Sequence, residues 1–377
     1  VSAWSPGMRD KAIDGLGSLA FRETWRTSQH GDLIVALVTD AMADENPVVR
    51  MSAARAFRAV YFDKPSPVRV RLIGELLQGE SNKNVRNQYM RLLGSEAHES
   101  PQEVDNVLRG LANEPDSPTE ADPTDDDALD LPVEIMTFLA MHHQTPFATE
   151  TVHTWATNAP WSEEALRATQ CVRNYLRPKS DPAVQGRAFD MVTKAADSSL
   201  GHWITTLEEV SDAEPSESEQ NELKHSVTVL DSIANQLYFA SGAFDRMNGD
   251  EDATASRTAQ ERFADLATPV LITCARSKVS GIVHHVVETL IFLAPLDERR
   301  TLLSTTEAVA SDGSYAYDPL SSDVVVPYLK RLLAEHRQLV LFDDEGVAAF
   351  RTLLSAFASA GNESALELAF TFSDVFR

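Results

Sequence analysis

The feature that most constrains this chain is a short frame that returns at a fixed distance. "DENPVVR" (44–50) carries an acid, four residues, then Val-Arg. "ESNKNVR" (80–86) carries the same frame with Glu80, Val85 and Arg86, and Val85 lies 36 residues after Val49. A third copy, "DKPSPVR" (63–69), falls between them at the start of the intervening helical pattern. "SDPAVQGRAF" (180–189) is a weaker copy, with Gln185 where the arginine would fall. The agreement runs past the frame, since Arg55 maps onto Arg91 and Phe57 onto Leu93. A period of this length belongs to paired-helix repeats, whose units bury their apolar faces only against their neighbours.

Apolar residues elsewhere keep the 3.6-residue period, and strand-like alternation is almost absent. Within 47–62, Val49, Ala53, Phe57 and Val60 share one face, and Arg50, Arg55 and Arg58 lie off it. Within 82–93, Val85, Tyr89, Leu92 and Leu93 do the same. Helical patterns follow at 161–177, 181–197, 219–241, 254–276, 279–294, 323–338, 344–360 and 362–375. Start signals are those of helix caps: Ser100 before Pro101, "SDPAV", and the acids of "FDDEGVAAF". "DVVVPYL" could pass for a strand, but it lacks a partner, and Pro327 is expected to open a helix. The chain reads as all-α.

The repeat frame resembles that of the HEAT-repeat family, whose units carry Asp-x-x-Pro-x-Val-Arg before the second helix. Asp44, Pro47, Val49 and Arg50 match it position by position. The resemblance covers 31–93 well, 180–197 in part, and the rest only in period. It implies an α-solenoid of stacked antiparallel helical hairpins, in one run or in two blocks. It also implies structural roles: Val49 and Val85 pack between helices, Pro47 opens one, and Asp44, Arg50, Glu80 and Arg86 form polar ladders between repeats.

Charge divides the chain. The total is 33 Lys and Arg against 57 Asp and Glu, a formal charge of −24. Residues 1–112 hold 14 of each sign, so the whole excess lies beyond them. "NEPDSPTEADPTDDDALD" (113–130) has eight acids and no base, a composition that buries too little apolar surface to offset ordering. We therefore expect a neutral repeat block at 1–112, an acidic loop or linker at 113–130, and an acidic helical-repeat block at 131–377. Milder polar stretches lie at 211–222, 247–257 and 310–323. The acidic balance disfavours nucleic acid and anionic membranes as partners. Two distant cysteines, Cys171 and Cys274, speak against a disulfide framework and for a reducing, cytoplasmic setting. No run of about 18 apolar residues is present. The start "VSAWSPGMRD" carries neither an initiator methionine nor signal-peptide order, as expected of a processed chain or a piece of a longer bacterial protein.

Candidate sites are few. Arg55, Arg58 and Arg91 lie off the apolar faces, and on second helices they would make a basic stripe suited to carboxylate or phosphate. His284 and Glu288 could share a helix face, with His285 pointing about 100° away. His142-His143 and His153 form a second group. None has an HExxH-type companion, so no metal is expected. The acidic run lacks the glycine and closing glutamate of a calcium loop. "GLGSLA" (15–20) matches a dinucleotide fingerprint formally, but without the preceding strand it is rejected. No catalytic constellation and no cofactor motif emerge. The expectation is a non-enzymatic scaffold or sensing module that binds a protein, including other domains of a parent chain, through a concave solenoid face. The alternatives are nucleic-acid binding through the arginine stripe, and an enzyme akin to the HEAT-like lyases that handle bilins. The lyase reading would need a deep pocket near His142 or His284.

Overall fold

The computed structural model describes residues 7–26, 28–113, 127–210, 216–244, 255–312 and 314–375. The described residues are predominantly helical, with no strand among them. They group into two compact units, Val1–Thr151 and Val152–Arg377. Composition places a boundary at 113–130, whereas contacts place residues 131–151 with the N-terminal helices. Residues 114–126 of that acidic run lie outside the described residues. The reason for the difference is physical: polarity marks where a chain can leave a core, but packing decides where the core ends.

The first unit contains α1 (Met8–Ala20), α2 (Glu23–Arg26), α3 (Gly31–Ala41), α4 (Pro47–Val60), α5 (Ser66–Gly79), α6 (Lys83–Glu96), α7 (Pro101–Ala112) and α8 (Asp127–Phe138). α8 runs on into a π-helical turn, Leu139–His143, which ends at Gln144 in the left-handed region, φ 52°. α9 (Pro146–Thr157) follows, and the division between units falls inside it. α4 packs on α1, α3 and α6; α6 packs on α5, α7 and α8; α5 packs on α7. Helices α4, α6 and α8 thus form one row, and α5 and α7 lie together in another.

Sequence explains why α4 sits so deep. Asn46 caps it by accepting from the Val48 N–H, and Pro47 occupies its first position. Val49, Ala53, Phe57 and Val60 are buried, as their period predicts, and so are Ser52, Ala54, Ala56 and Ala59. Small side chains let three helices approach at once. A Cβ added to Gly17 of α1 would stand 2.6 Å from the Ala56 Cβ. The glycine of "GLGSLA" therefore permits helix contact, with α1 helical throughout. On α6, Val85, Tyr89, Leu92 and Leu93 are buried likewise, under an Asn82 cap.

The arginine of the frame is the fourth residue of its helix, and each one reaches back. Arg50 donates to the carbonyls of Asp44 and Glu45, Arg69 to that of Lys64, and Arg86 to that of Leu77. Two of them also grip an acid at the end of the following helix. Arg50 binds Glu80 through two bonds, 2.7 and 2.8 Å. Arg69 binds Glu96 through two, 2.9 and 2.5 Å, and the Ser66 hydroxyl donates to the same carboxylate. Asp44 is likewise held by fixed partners. Its carboxylate accepts from Arg9 and from the Asn46 N–H, and the acid opposite Arg50 is Glu80.

The second unit comprises α10 (Glu163–Cys171), α11 (Arg173–Leu176), α12 (Pro182–Val210), α13 (Glu217–Ser241), α14 (Arg257–Ala275), α15 (Ser280–Leu293) and α16 (Glu298–Ser311). It continues through α17 (Pro319–Glu335), α18 (Arg337–Phe342), α19 (Asp344–Ser359) and α20 (Glu363–Val375). α12, α14, α16 and α19 succeed one another in one row, and α13, α15 and α17 in a second. Asp181 and Asp343 cap α12 and α19 as expected. Two expectations fail. Pro327 lies inside α17, which starts eight residues earlier under the Asp318 cap. Ser100 precedes α7, but its hydroxyl makes no cap bond and is buried without a partner.

Gln185, the weak copy of the frame, is again the fourth residue of its helix. Its amide donates to the carbonyls of Leu176 and Arg177, and its oxygen accepts from Arg262 of α14 at 2.6 Å. The tether is kept and the cation has moved to the partner helix.

Burial pushes the Glu96 carboxyl up, but the bonds from Arg69 and Ser66 outweigh it and hold the group below the usual carboxylate range. Its stabilisation is complete above the ordinary carboxylate pKa and is lost as pH falls through the lowered folded value. Removing the carboxylate leaves half-buried Arg69 with only exposed Glu99 and the Lys64 carbonyl to bond, and the Ser66 hydroxyl without its acceptor. Glu96→Ala should therefore cost about 2–3 kcal/mol in urea unfolding at neutral pH, with a smaller loss for Glu96→Gln. An unchanged midpoint for both would show that the pair holds nothing.

Candidate binding face

Once the tethers are accounted for, the arginines of α4 and α6, together with Arg69, fall into two kinds. Arg50, Arg69 and Arg86 are consumed by carboxylates and carbonyls between helices. Arg55, Arg58 and Arg91 are exposed. Arg58 lies 3.9 Å from Glu96, a carboxylate already held by Arg69. Arg55 and Arg91 make no ion pair or side-chain hydrogen bond with any described residue.

Their surroundings explain this. α4 contains no acid at all, and the single acid of α6 is Glu96, which is buried. Neither arginine therefore has a carboxylate three or four residues away on its own helix to pair with. In a chain with 57 acids, two packed helices present an exposed surface without one. On α4 the exposed stripe is short and regular: Met51 half-exposed, Arg55, Arg58, then Phe62 just past the helix at 60% exposure. On α6 it is Asn84, Arg91 and Ser95, with Asn87 and Gln88 half-exposed between them. Arg55 and Arg91, one repeat apart in sequence, stand on neighbouring helices of one row. Farther along the row, α8 exposes Glu134, and exposed His142 follows in the π-turn.

The histidines assemble differently from what their sequence positions imply. His284 Nε2 and His285 Nδ1 lie 3.6 and 3.7 Å from separate oxygens of Glu288, so one carboxylate faces both rings. His284 Nδ1 stands 3.3 Å from the hydroxyl of Tyr315, a buried phenol pushed up by that burial and by Glu288. In the first unit, His143 contacts His98, 45 residues earlier, with ring centroids 5.9 Å apart, and both His142 and His143 contact Phe138. His98 carries no sequence signal that would have found it. His202 stacks on Trp161 at 4.2 Å and lies near Glu222, a further group the sequence does not announce.

No group of three or more His, Cys, Asp or Glu among the described residues is arranged to hold a metal ion. A cleft of about 290 Å³ between α14 and α16 is lined by Asp265, Asp297 and Arg300, and one of about 350 Å³ between α5 and α7 by Arg71, Glu75 and Glu103. Neither is lined by a histidine. No described helix is long and apolar enough to cross a membrane. No protein-family model matches the chain, and no curated protein matches it.

Burial, and after it the nearby His98, holds the His143 imidazole below its ordinary range, and its Nε2 is buried without a partner. The unfolded chain therefore binds this proton more readily than the folded one. Stability from a neutral His143 is complete above the unfolded value near 6.5 and declines as pH falls toward the lower folded value. Urea midpoints measured from about pH 7 to about pH 5 should fall, and His143→Gln should flatten part of that slope. An identical slope in the variant would remove His143 from the account.

Proposed function

We propose that this chain is a non-enzymatic protein-interaction module, an α-solenoid of HEAT-like hairpins that serves as the scaffold or sensing part of a larger bacterial protein. Its binding surface is the exposed stripe of α4 and α6, and in the proposed array second helices such as these line the concave side. A single observation carries this reading: exposed Arg55 and Arg91 stand unpaired, on adjacent helices without an exposed acid, in a chain of net charge −24. Arg50, Arg69 and Arg86 are spent on tethers, whereas Arg55 and Arg91 on α4 and α6 keep their donors available to a partner. The face supplies charge and hydrogen-bond donors, and no paired acid and base sit beside it to do chemistry.

Nucleic acid is the second reading, because the same guanidiniums fit phosphate. Three arginines make a short track, and the net charge opposes approach at long range.

The test is capture of partners from a native lysate, with and without nuclease, by the wild type and by Arg55→Glu/Arg91→Glu. Both positions are exposed, so the variant should melt within about 0.5 kcal/mol of wild type. A protein partner that survives nuclease and is lost in the variant supports the proposal. Nuclease-sensitive capture lost in the variant transfers the face to nucleic acid, and capture indifferent to the variant removes the face from the function.

A further inference from the structure

The other row of the first unit holds a groove that the arginine face does not use. It lies between α5 and α7, encloses about 350 Å³, and is lined by Arg71, Glu75 and Gln78 on one wall and by Glu103 and Asn106 on the other. Two close approaches fix how the walls lie. A Cβ added to Gly74 would stand 3.0 Å from a Val107 methyl, and one added to Gly110 would stand 3.8 Å from the Gln78 amide nitrogen. Positions 74 and 78 thus meet 107 and 110 in order, so α5 and α7 run side by side in the same direction. One turn back, Arg71 comes level with Glu103 on the opposite wall. They carry opposite charges and make no ion pair. None of the five polar side chains has a hydrogen bond or an ion pair with any described residue. The cleft between α14 and α16 is the contrast. There Arg300 of α16 bonds Asp265 and, at 2.8 Å, the Ala264 carbonyl of α14, which joins the two walls. The walls of α5 and α7 are left unjoined.

We infer that this groove binds an extended, basic segment of a partner protein, its main chain held between the walls and its apolar side chains on the floor. Arg71 only donates, ionised Glu75 and Glu103 only accept, and Gln78 and Asn106 do both. An occupant that satisfies this set must donate and accept along its length. A phosphate or a carboxylate only accepts, and a polyamine only donates. An extended main chain does both, since its N–H and C=O groups project sideways while its side chains alternate between two faces. Every second side chain then meets the floor, which carries Val70 and Val107. From Arg71 to Gln78 the helix advances about 10 Å, which an extended chain covers in about three residues. The lining sets two carboxylates against one guanidinium, so charge complementarity favours a basic segment over an acidic one. Arg71, Glu75, Gln78 and Asn106 are exposed, which suits a segment laid in from outside rather than a small molecule enclosed on all sides. The site is thus on the opposite row from Arg55 and Arg91, and takes a partner of opposite charge to theirs.

The experiment is fluorescence anisotropy on the full chain with labelled peptides. The first alternates lysine and valine over about seven residues, enough to overrun the groove at both ends. The second is the same peptide N-methylated at its central residues, which deletes main-chain donors at unchanged charge. The third has glutamate in place of lysine, and unlabelled spermidine serves as a competitor. We expect N-methylation to weaken binding about tenfold, and the glutamate peptide to bind at least about tenfold more weakly than the first. Asn106→Ala should weaken the first peptide several-fold. Gly110→Leu fills the groove without changing its charge and should abolish binding. Leucine is the better helix former, so this variant should melt no lower than wild type, which separates a blocked groove from a damaged fold. Equal binding of the first two peptides means that charge alone is recognised, and overturns the inference. So do displacement by spermidine at matched charge, tighter binding of the glutamate peptide, binding that survives Gly110→Leu, and the absence of any peptide binding.

Discussion

Everything in the first unit hangs on what the fourth residue of a helix does with the carbonyls behind it. Where one helix gives way to the next, backbone oxygens of the turn have no helical partner. Arg50, Arg69 and Arg86 supply donors to these oxygens from the helix that follows. A guanidinium has donors to spare, so Arg50 and Arg69 extend the same side chain to an acid farther on. One residue therefore fixes the turn behind it and the helix ahead of it. The apolar stripes of α4 and α6 can meet in a single register because these polar ends allow little sliding.

The binding face is what remains when that demand has been met. Arginine is used twice on α4, for opposite ends. At position 50 it is half-buried and committed, and at 55 and 58 it lies one turn and more away, on the side that the three neighbouring helices leave open. The alanines and Ser52 that admit α1, α3 and α6 are what narrow the open side to a stripe. Packing thereby decides which arginines can meet another molecule.

Much of this was legible in sequence because it depends on neighbours along the chain. The buried faces of Val49, Ala53, Phe57 and Val60, and of Val85, Tyr89, Leu92 and Leu93, follow from the helical period, and exposed Arg55, Arg58 and Arg91 follow as its complement. Pro327 misled because proline opens helices more often than it interrupts them, and α17 accommodates it eight residues in. Ser100 has the identity of a cap without the geometry. What could not be read was contact across distance: the placing of residues 131–151 with the first unit, the meeting of His98 with His143, and both oxygens of Glu288 turned toward adjacent histidines. Each depends on where separate helices come to rest.

The exchange at Gln185 bears on how a chain of this kind can change over time. Its rung pairs an uncharged amide with Arg262, whereas the corresponding rung at Arg50 pairs a cation with an anion. The two rungs differ by a full unit of charge, yet the carbonyls behind both helices are satisfied in the same way. The scaffold specifies reach and donors at this position and takes either a cationic or an uncharged side chain. Acidity can then accumulate along residues 152–377, which hold 33 acids against 19 bases, while the helices go on stacking by the same rule. Such a backbone is free to carry different electrical characters on different stretches, and to acquire new ones by substitution on its outer surface without renegotiating its core.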